Sequence, residues 1–166
     1  MTNYLLSIDP SIKNTGFTLW ENKKPIWINS YNFKNYNYEN YMKLIHNIIL
    51  NKVNGLYWEQ LTLCIEQGFI NKGKGKETLE HLRGFIAGWF NKLITKDMLV
   101  HNLTWKKWYK NRPFGAYWDI KNEKWTKETS LAMAQIIISE NEWDFNIANH
   151  DEADSLLIGW YYLNKE

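Results

Sequence analysis

The stretch Tyr4-Leu5-Leu6-Ser7-Ile8-Asp9-Pro10 reads as a buried strand that runs out at an acid. Proline has no N–H to give to a ladder, so the strand is expected to stop at about Pro10. A turn around Ser11 to Asn14 leads to Thr15–Glu21, a second β-rich run. Glu21-Asn22-Lys23-Lys24 has hairpin-turn composition, and Pro25–Tyr31 supplies a third strand. The chain therefore opens as a meander of three antiparallel strands.

Beyond it the hydrophobic period changes. Glu39–Asn51 places Tyr41, Leu44, Ile45, Ile48 and Ile49 at helical spacing. Leu61–Glu66 is a short apolar run closed by a carboxylate, a fourth strand. Phe69–Lys76 is a Gly/Lys loop. Glu77–Thr95 repeats apolar residues from Leu79 to Leu93 and predicts a helix. Met98–Leu103 predicts a fifth strand, and Thr104 is placed to cap a short helix through Asn111. Phe114–Trp125 is irregular and aromatic. Thr126–Glu140 and Asp151–Leu163 predict two last helices. Strands interleaved with helices in this order make a mixed α/β layer fold. The 166 residues fit one domain, 1–166, with no internal repeat and no low-complexity linker.

Composition narrows the function. The chain is 45% hydrophobic and 16% aromatic, with ten Trp and ten Tyr, enough for a core and for aromatic surface that can stack on bases. The single cysteine, Cys64, can form no internal disulfide and has no metal-ligand spacing. There is no basic-then-apolar leader and no long uncharged apolar stretch, so a cytoplasmic protein that does not span a membrane is expected. Net charge is only +2, yet its distribution is uneven: residues 70–127 carry +8 and the remainder −6. A basic middle beside acidic flanks suits a phosphate-binding surface next to a carboxylate site. Its candidate DNA contacts are Lys72, Lys74, Lys76, Arg83, Lys106, Lys107, Lys110, Arg112, Lys121 and Lys124. A solvated lysine-rich surface reads the same by charge alone.

Four acids stand out by position: Asp9 and Glu66 at strand ends, and Asp151 and Asp154 at i and i+3 on one face of the last helix. A carboxylate at a strand end has left the ladder and faces the rim of the sheet. Asp151, Glu152 and Asp154 also have a stability reading, since acids near a helix N-terminus are favoured by its dipole. Asp9 alone could be a turn residue. Glu66 is harder to dismiss, because an unpaired acid on a central strand is costly. Convergent acids suit phosphodiester hydrolysis, which needs a hydroxide nucleophile and relief of transition-state charge. Two hard cations about 3.5–4 Å apart supply both. Oxygen donors without a His/Cys cluster favour two Mg²⁺, with Mn²⁺ as a substitute, over zinc. His150, beside Asp151, is either a proton carrier or a cap-region residue.

At these residues the chain resembles the RuvC Holliday-junction resolvases. Ile8-Asp9-Pro10-Ser11 followed by Asn14-Thr15-Gly16-Phe17 is similar to that family's opening motif. Cys64-Ile65-Glu66-Gln67-Gly68-Phe69 is similar to its second-acid motif, Leu82-Arg83-Gly84 to its A-R-G, and His150-Asp151-Glu152-Ala153-Asp154-Ser155-Leu156 to its closing motif. The pieces occur in the family's order and span nearly the whole chain. The resemblance implies an RNase H-like fold: a five-stranded mixed sheet, three antiparallel strands then parallel ones, flanked by helices. It implies a homodimer acting on branched DNA and a two-metal site, with Asp9, Glu66, Asp151 and Asp154 as the metal-binding acids. Phe69 matches an aromatic that stacks near the junction centre, or is a loop aromatic. Lys127 matches a lysine near the scissile phosphate, and Lys106 or Lys107 a second basic residue.

Two departures stand out. Ser11 replaces the family's glycine, and Trp105–Trp125, with Trp108, Tyr109, Phe114, Tyr117 and Trp118, replaces a Gly-rich stretch. Small size, and abundant Asn, Lys, Ile and Tyr of the kind an AT-rich coding sequence yields, suit a phage-encoded member with broad branched-DNA substrates. The competing readings are a branched-DNA-binding module without chemistry, and another RNase H-like nuclease acting on RNA–DNA hybrids or as a transposase.

Overall fold

The computed structural model describes residues 3–11, 13–32, 38–53, 58–68, 74–112 and 124–166, with the backbone alone for 74–78. Five strands and five helices follow one another: β1 Tyr4–Asp9, β2 Thr15–Glu21, β3 Lys24–Tyr31, α1 Tyr38–Lys52, β4 Leu61–Gln67, α2 Lys74–Trp89, β5 Leu99–His101, α3 Asn102–Lys110, α4 Lys127–Glu140 and α5 His150–Asn164. They form one sheet in the order β3-β2-β1-β4-β5. β1 pairs antiparallel with β2, and β2 with β3. β4 lies parallel to β1 and β5 parallel to β4. This is the expected mixed sheet of an RNase H-like fold.

The meander is closed by chemistry local to the turn. Asn22 and Lys23 both take positive φ, 48° and 68°, which gives a two-residue loop the twist a hairpin needs. Side chains alternate across the sheet. Leu6, Ile8, Phe17, Leu19, Leu61, Leu63 and Ile65 pack with α1 and α2 on one face. Leu5, Trp20 and Cys64 pack with α3, α4 and α5 on the other. The central strands are thus buried on both sides, as helices on both faces require.

Several boundaries differ from the sequence reading, each for a local reason. α2 ends at Trp89 rather than Thr95. Asn91 adopts φ 53°, its N–H bonds Gly88 O at 3.0 Å, and Lys92 N–H bonds Ala87 O at 2.9 Å. This left-handed stop satisfies the last carbonyls, and Leu93, read as part of the helical stripe, is 87% exposed. On α1 the buried residues are Met42, Ile45 and Ile49, while Leu44 points outward. β5 is shorter than expected, because the chain turns helical at Asn102 and His101, not Thr104, caps α3 by accepting from Leu103 N–H. The aromatic stretch from Phe114 to Trp118 lies outside the described residues.

α5 is the element that closes one face. It sits directly on β1 and β2 through small groups. A Cβ on Gly16 would run into the Asp151 carbonyl, and one on Gly159 into the Trp20 indole and the Ser7 hydroxyl. Ser7 Oγ donates to Ser155 O (2.7 Å) and accepts from Trp20 Nε1 (2.8 Å), and Thr18 Oγ1 meets Ser155 Oγ at 2.8 Å. These buried hydroxyls are all satisfied, as burial demands. Gly16→Ala and Gly159→Ala are each expected to cost about 1–3 kcal/mol by overpacking. The readout is a lower urea midpoint at unchanged slope. Wild-type stability in either variant would show that α5 does not lie this close.

Candidate active site

Alternation along the strands decides where two of the acids point. Ile8 and Ile65 are paired across β1 and β4 and face α1 and α2. Asp9 and Glu66, one residue further along each strand, therefore face the opposite side, under α5. Both stand at the carboxyl end of a parallel pair, where open α/β sheets place their ligands. Asp9 is buried, at 9% exposure.

The other two acids come from the first turns of α5. Asn149 caps that helix, its side-chain oxygen accepting from the N–H groups of Asp151 and Glu152, both at 3.0 Å. Three acids sit in this stretch and they part company. Glu152 turns back to the cap, accepting from Ala148 N–H at 2.8 Å and from Ser30 Oγ at 3.1 Å. Glu152 therefore takes the helix-capping role that sequence allowed for all of them. Asp151 accepts from Asn14 Nδ2 at 2.8 Å and lies 3.4 Å from His150 Nε2. Asp154, one turn on, faces the strand-end acids.

The four form one electrostatic neighbourhood. Burial first, then the charges of Glu66, Asp154 and Asp151, and a hydrogen bond with Glu66, hold the Asp9 carboxyl well above the usual carboxylate range. Burial pushes Asp154 up to about 7; Glu66 and Asp151 push the same way, against the Ser130 hydroxyl and the Lys106 ammonium. Among the described residues no three Asp, Glu, His or Cys side chains are already spaced to close on one ion. Protein donors occupy several of the oxygens: Glu66 Oε1 accepts from Trp105 Nε1 at 3.0 Å, and Asp151 Oδ2 from Asn14. Asp154 Oδ1, by contrast, is buried without a hydrogen-bond partner. An orphaned carboxylate oxygen among mutually repelling acids fits a hard divalent cation, which would supply the missing charge.

The expected cations fall into three groups. Lys107, Lys124 and Lys127 are exposed. Lys127 opens α4, three residues before Ser130. Arg83 is not on the surface as expected. It is 3% exposed, its Nε donates to the Glu66 carbonyl at 2.9 Å, and its Nη1 pairs with Glu80 at 2.7 Å. It braces the β4 terminus. Arg112 stacks 3.9 Å over the Trp108 ring, and Lys106 lies 4.8 Å from the Trp105 ring. Phe69, Lys72 and Lys121 lie outside the described residues, and Lys74 and Lys76 are described as backbone only, in the first turn of α2. Cys64 is buried, and burial pushes its thiol far up, so it offers no nucleophile. Sequence reasoning missed Asn14, Trp105 and Ser130 as partners of the acids. The one available signal was that a buried indole N–H must find an acceptor.

The raised carboxyls have a stability consequence. A carboxyl that binds its proton more tightly in the folded chain than in the unfolded one favours folding while it is protonated. That contribution fades as pH rises toward the folded value. Metal-free stability is therefore expected to fall as pH rises from about 4 through about 7. Asp154→Asn is expected to raise the melting temperature in EDTA at pH 8 by about 2–4 °C for each kcal/mol of relieved repulsion, and by less at pH 5. A lower value than wild type at pH 8 would show that Asp154 is not destabilised by its neighbours.

No protein-family profile matches the sequence, and no curated protein matches it. Solved structures do. The chain superposes on Thermus thermophilus RuvC with a TM-score of 0.56 at 14% identity, covering 95% of this chain and 91% of that one. It superposes on T. thermophilus RuvC in complex with a Holliday junction substrate with a TM-score of 0.52 at 11% identity, covering 95% and 90%. The three-strand meander, the parallel β4 and β5 and the helices on both faces are thus the RNase H-like fold in its RuvC form.

Proposed function

We propose that this chain is a divalent-metal-dependent endonuclease that cuts branched DNA, Holliday junctions among its substrates. The observation that carries the reading is the shared neighbourhood of Asp9, Glu66, Asp151 and Asp154 at the carboxyl ends of β1 and β4. Support comes from the fold, which is that of an enzyme solved on a Holliday junction substrate. Asp9, Glu66, Asp151 and Asp154 would hold Mg²⁺, or Mn²⁺ in its place. A pair of such ions, when bound, supplies a hydroxide nucleophile near neutral pH and offsets charge on the departing oxygen.

The chain's own residues do the rest. Asn14 holds the Asp151 carboxylate, and Asn149 fixes the helix turn that carries it. The orphaned Asp154 oxygen keeps a lone pair for the cation. Lys127, exposed at the start of α4, would offset charge at the scissile phosphate. Lys106, Lys107, Lys110 and Lys124 contact the backbone without reading bases. In-line attack by water breaks the bond to the 3′ oxygen and leaves 5′-phosphate and 3′-hydroxyl ends. A two-fold pair of subunits presents two such sites to a two-fold junction, allowing paired nicks.

The test is a panel of four-way junction, flap, plain duplex and RNA–DNA hybrid, each with Mg²⁺ and with EDTA. Cleavage of the junction in Mg²⁺ alone is expected. Asp9→Asn is expected to bind the junction as wild type does and to cut at least about a hundredfold more slowly, no less than the loss of an outer partner costs a metal site. Wild-type cutting by Asp9→Asn would remove the acids from the chemistry. Preference for the hybrid would replace the substrate. Lys127→Ala is expected to slow cutting while leaving the melting temperature within about 2 °C, since exposed substitutions are close to neutral; an unchanged rate would take Lys127 out of the site.

A further inference from the structure

We propose that Trp105 and Trp125 act as one positioning unit for the acid site, holding Glu66 directly and Asp154 through the Ser130 hydroxyl. The inference rests on the metal-dependent reading above and goes beyond it, since it concerns what sets the site's affinity for its ion.

The geometry points there from two directions. Trp105, fully buried on α3, donates its indole N–H to Glu66 Oε1 at 3.0 Å. Trp125, in the lead-in to α4, donates its indole N–H to Ser130 Oγ at 2.8 Å. Ser130 in turn lies beside the Asp154 carboxylate and favours its charged form. A serine hydroxyl has a single proton. With Trp125 donating to its oxygen, that proton is left free to turn toward Asp154. The two indoles are locked edge to face, ring centroids 5.3 Å apart at 84°. Tyr109 packs on both rings and ties them to α5, its hydroxyl donating to Leu157 O at 2.7 Å. Acids from two different elements, β4 and α5, are thereby referenced to one rigid aromatic pair.

The chemistry of the donors suits the task. An indole N–H is a donor only, so its direction cannot invert. It is neutral, so it adds no charge to compete with a cation. It occupies one oxygen of Glu66, and the Ser130 relay leaves Asp154 Oδ1 without a protein partner. Groups of this kind fix ligand orientation, and their loss typically weakens metal binding about 10–100-fold. A purely structural indole would also seek a buried acceptor, but its loss would change stability and leave ion affinity alone.

The experiment uses the full-length protein and Mn²⁺ alone, with affinity read by titration calorimetry and folding checked by melting in EDTA. Trp105→Phe keeps a ring and removes the donor. Ser130→Ala cuts the relay and leaves both indoles in place. Each is expected to bind Mn²⁺ about 10–100-fold more weakly. As a second measurement, Mg²⁺ titrated into wild type is expected to move the Trp105 and Trp125 indole N–H resonances with one shared midpoint. That measurement decides the matter if Trp105→Phe fails to fold. Wild-type affinity in folded variants, or indole resonances that stay still while the ion binds, would overturn the positioning role and leave the metal site standing. Absence of Mn²⁺ binding by wild type would overturn both readings together.

Discussion

Helix α5 reaches the acid-bearing end of the sheet because Gly16 and Gly159 leave no side chain between helix and strands. The contact is backbone against backbone at Gly16 and small residue against indole at Gly159. Ser7, Thr18 and Ser155 then bind helix and sheet together with hydrogen bonds that have no water to compete with them. The consequence is positional. Asp151 and Asp154 arrive over Asp9 and Glu66 at fixed height and rotation. A larger residue at either glycine would lift the helix and separate the acids by the same displacement. The same packing that stabilises the fold therefore defines the candidate site.

That seating brings together groups that repel. Asp9 and Asp154 both bind protons more tightly than a solvated carboxyl does, because burial and neighbouring acids disfavour their charge. A fold selected only for stability would not place them there. Buried, mutually repelling charge concentrated at one locus is the pattern expected of a functional site. The surrounding core absorbs the cost: apolar side chains fill both faces of the sheet, and the hydroxyls under α5 are paired.

Much of this was legible in the sequence, and the parts that were not share a cause. Strands β1 to β4 and helices α4 and α5 follow from alternation, from helical period and from punctuation such as Pro10 and Asn22-Lys23. The acids were legible because each interrupts an apolar pattern or shares a helix face. The end of α2 was not, because Leu93 continues the helical period while Asn91 enters a left-handed turn, and period alone does not weigh a cap. Arg83 was misplaced for a related reason. An arginine in a basic segment looks solvent-facing, and only the fold reveals that Glu80 and the Glu66 carbonyl enclose it. Trp105 and Ser130 were invisible as partners of the acids, because they meet Glu66 and Asp154 across 39 and 24 positions of chain, and no local pattern encodes such a contact.

Arg83 also changes what the charge of residues 70–127 means. A segment at +8 suggests a continuous phosphate-binding surface, yet several of its cations have partners within the chain. Arg83 braces a strand end, Arg112 lies on Trp108, and Lys106 sits by the Trp105 ring while drawing on Asp154. Lys107, Arg112, Lys124 and Lys127 are exposed charge near α3 and α4. A division of labour follows from the dielectric. Beside the acids, the Lys106 ammonium acts on Asp154, while the indoles that donate to Glu66 and Ser130 are neutral. Further out, where water screens charge within about 10 Å at moderate salt, lysines can attract a phosphate backbone without perturbing the acids. The aromatic residues of this chain and its basic ones thus act at different distances from one site.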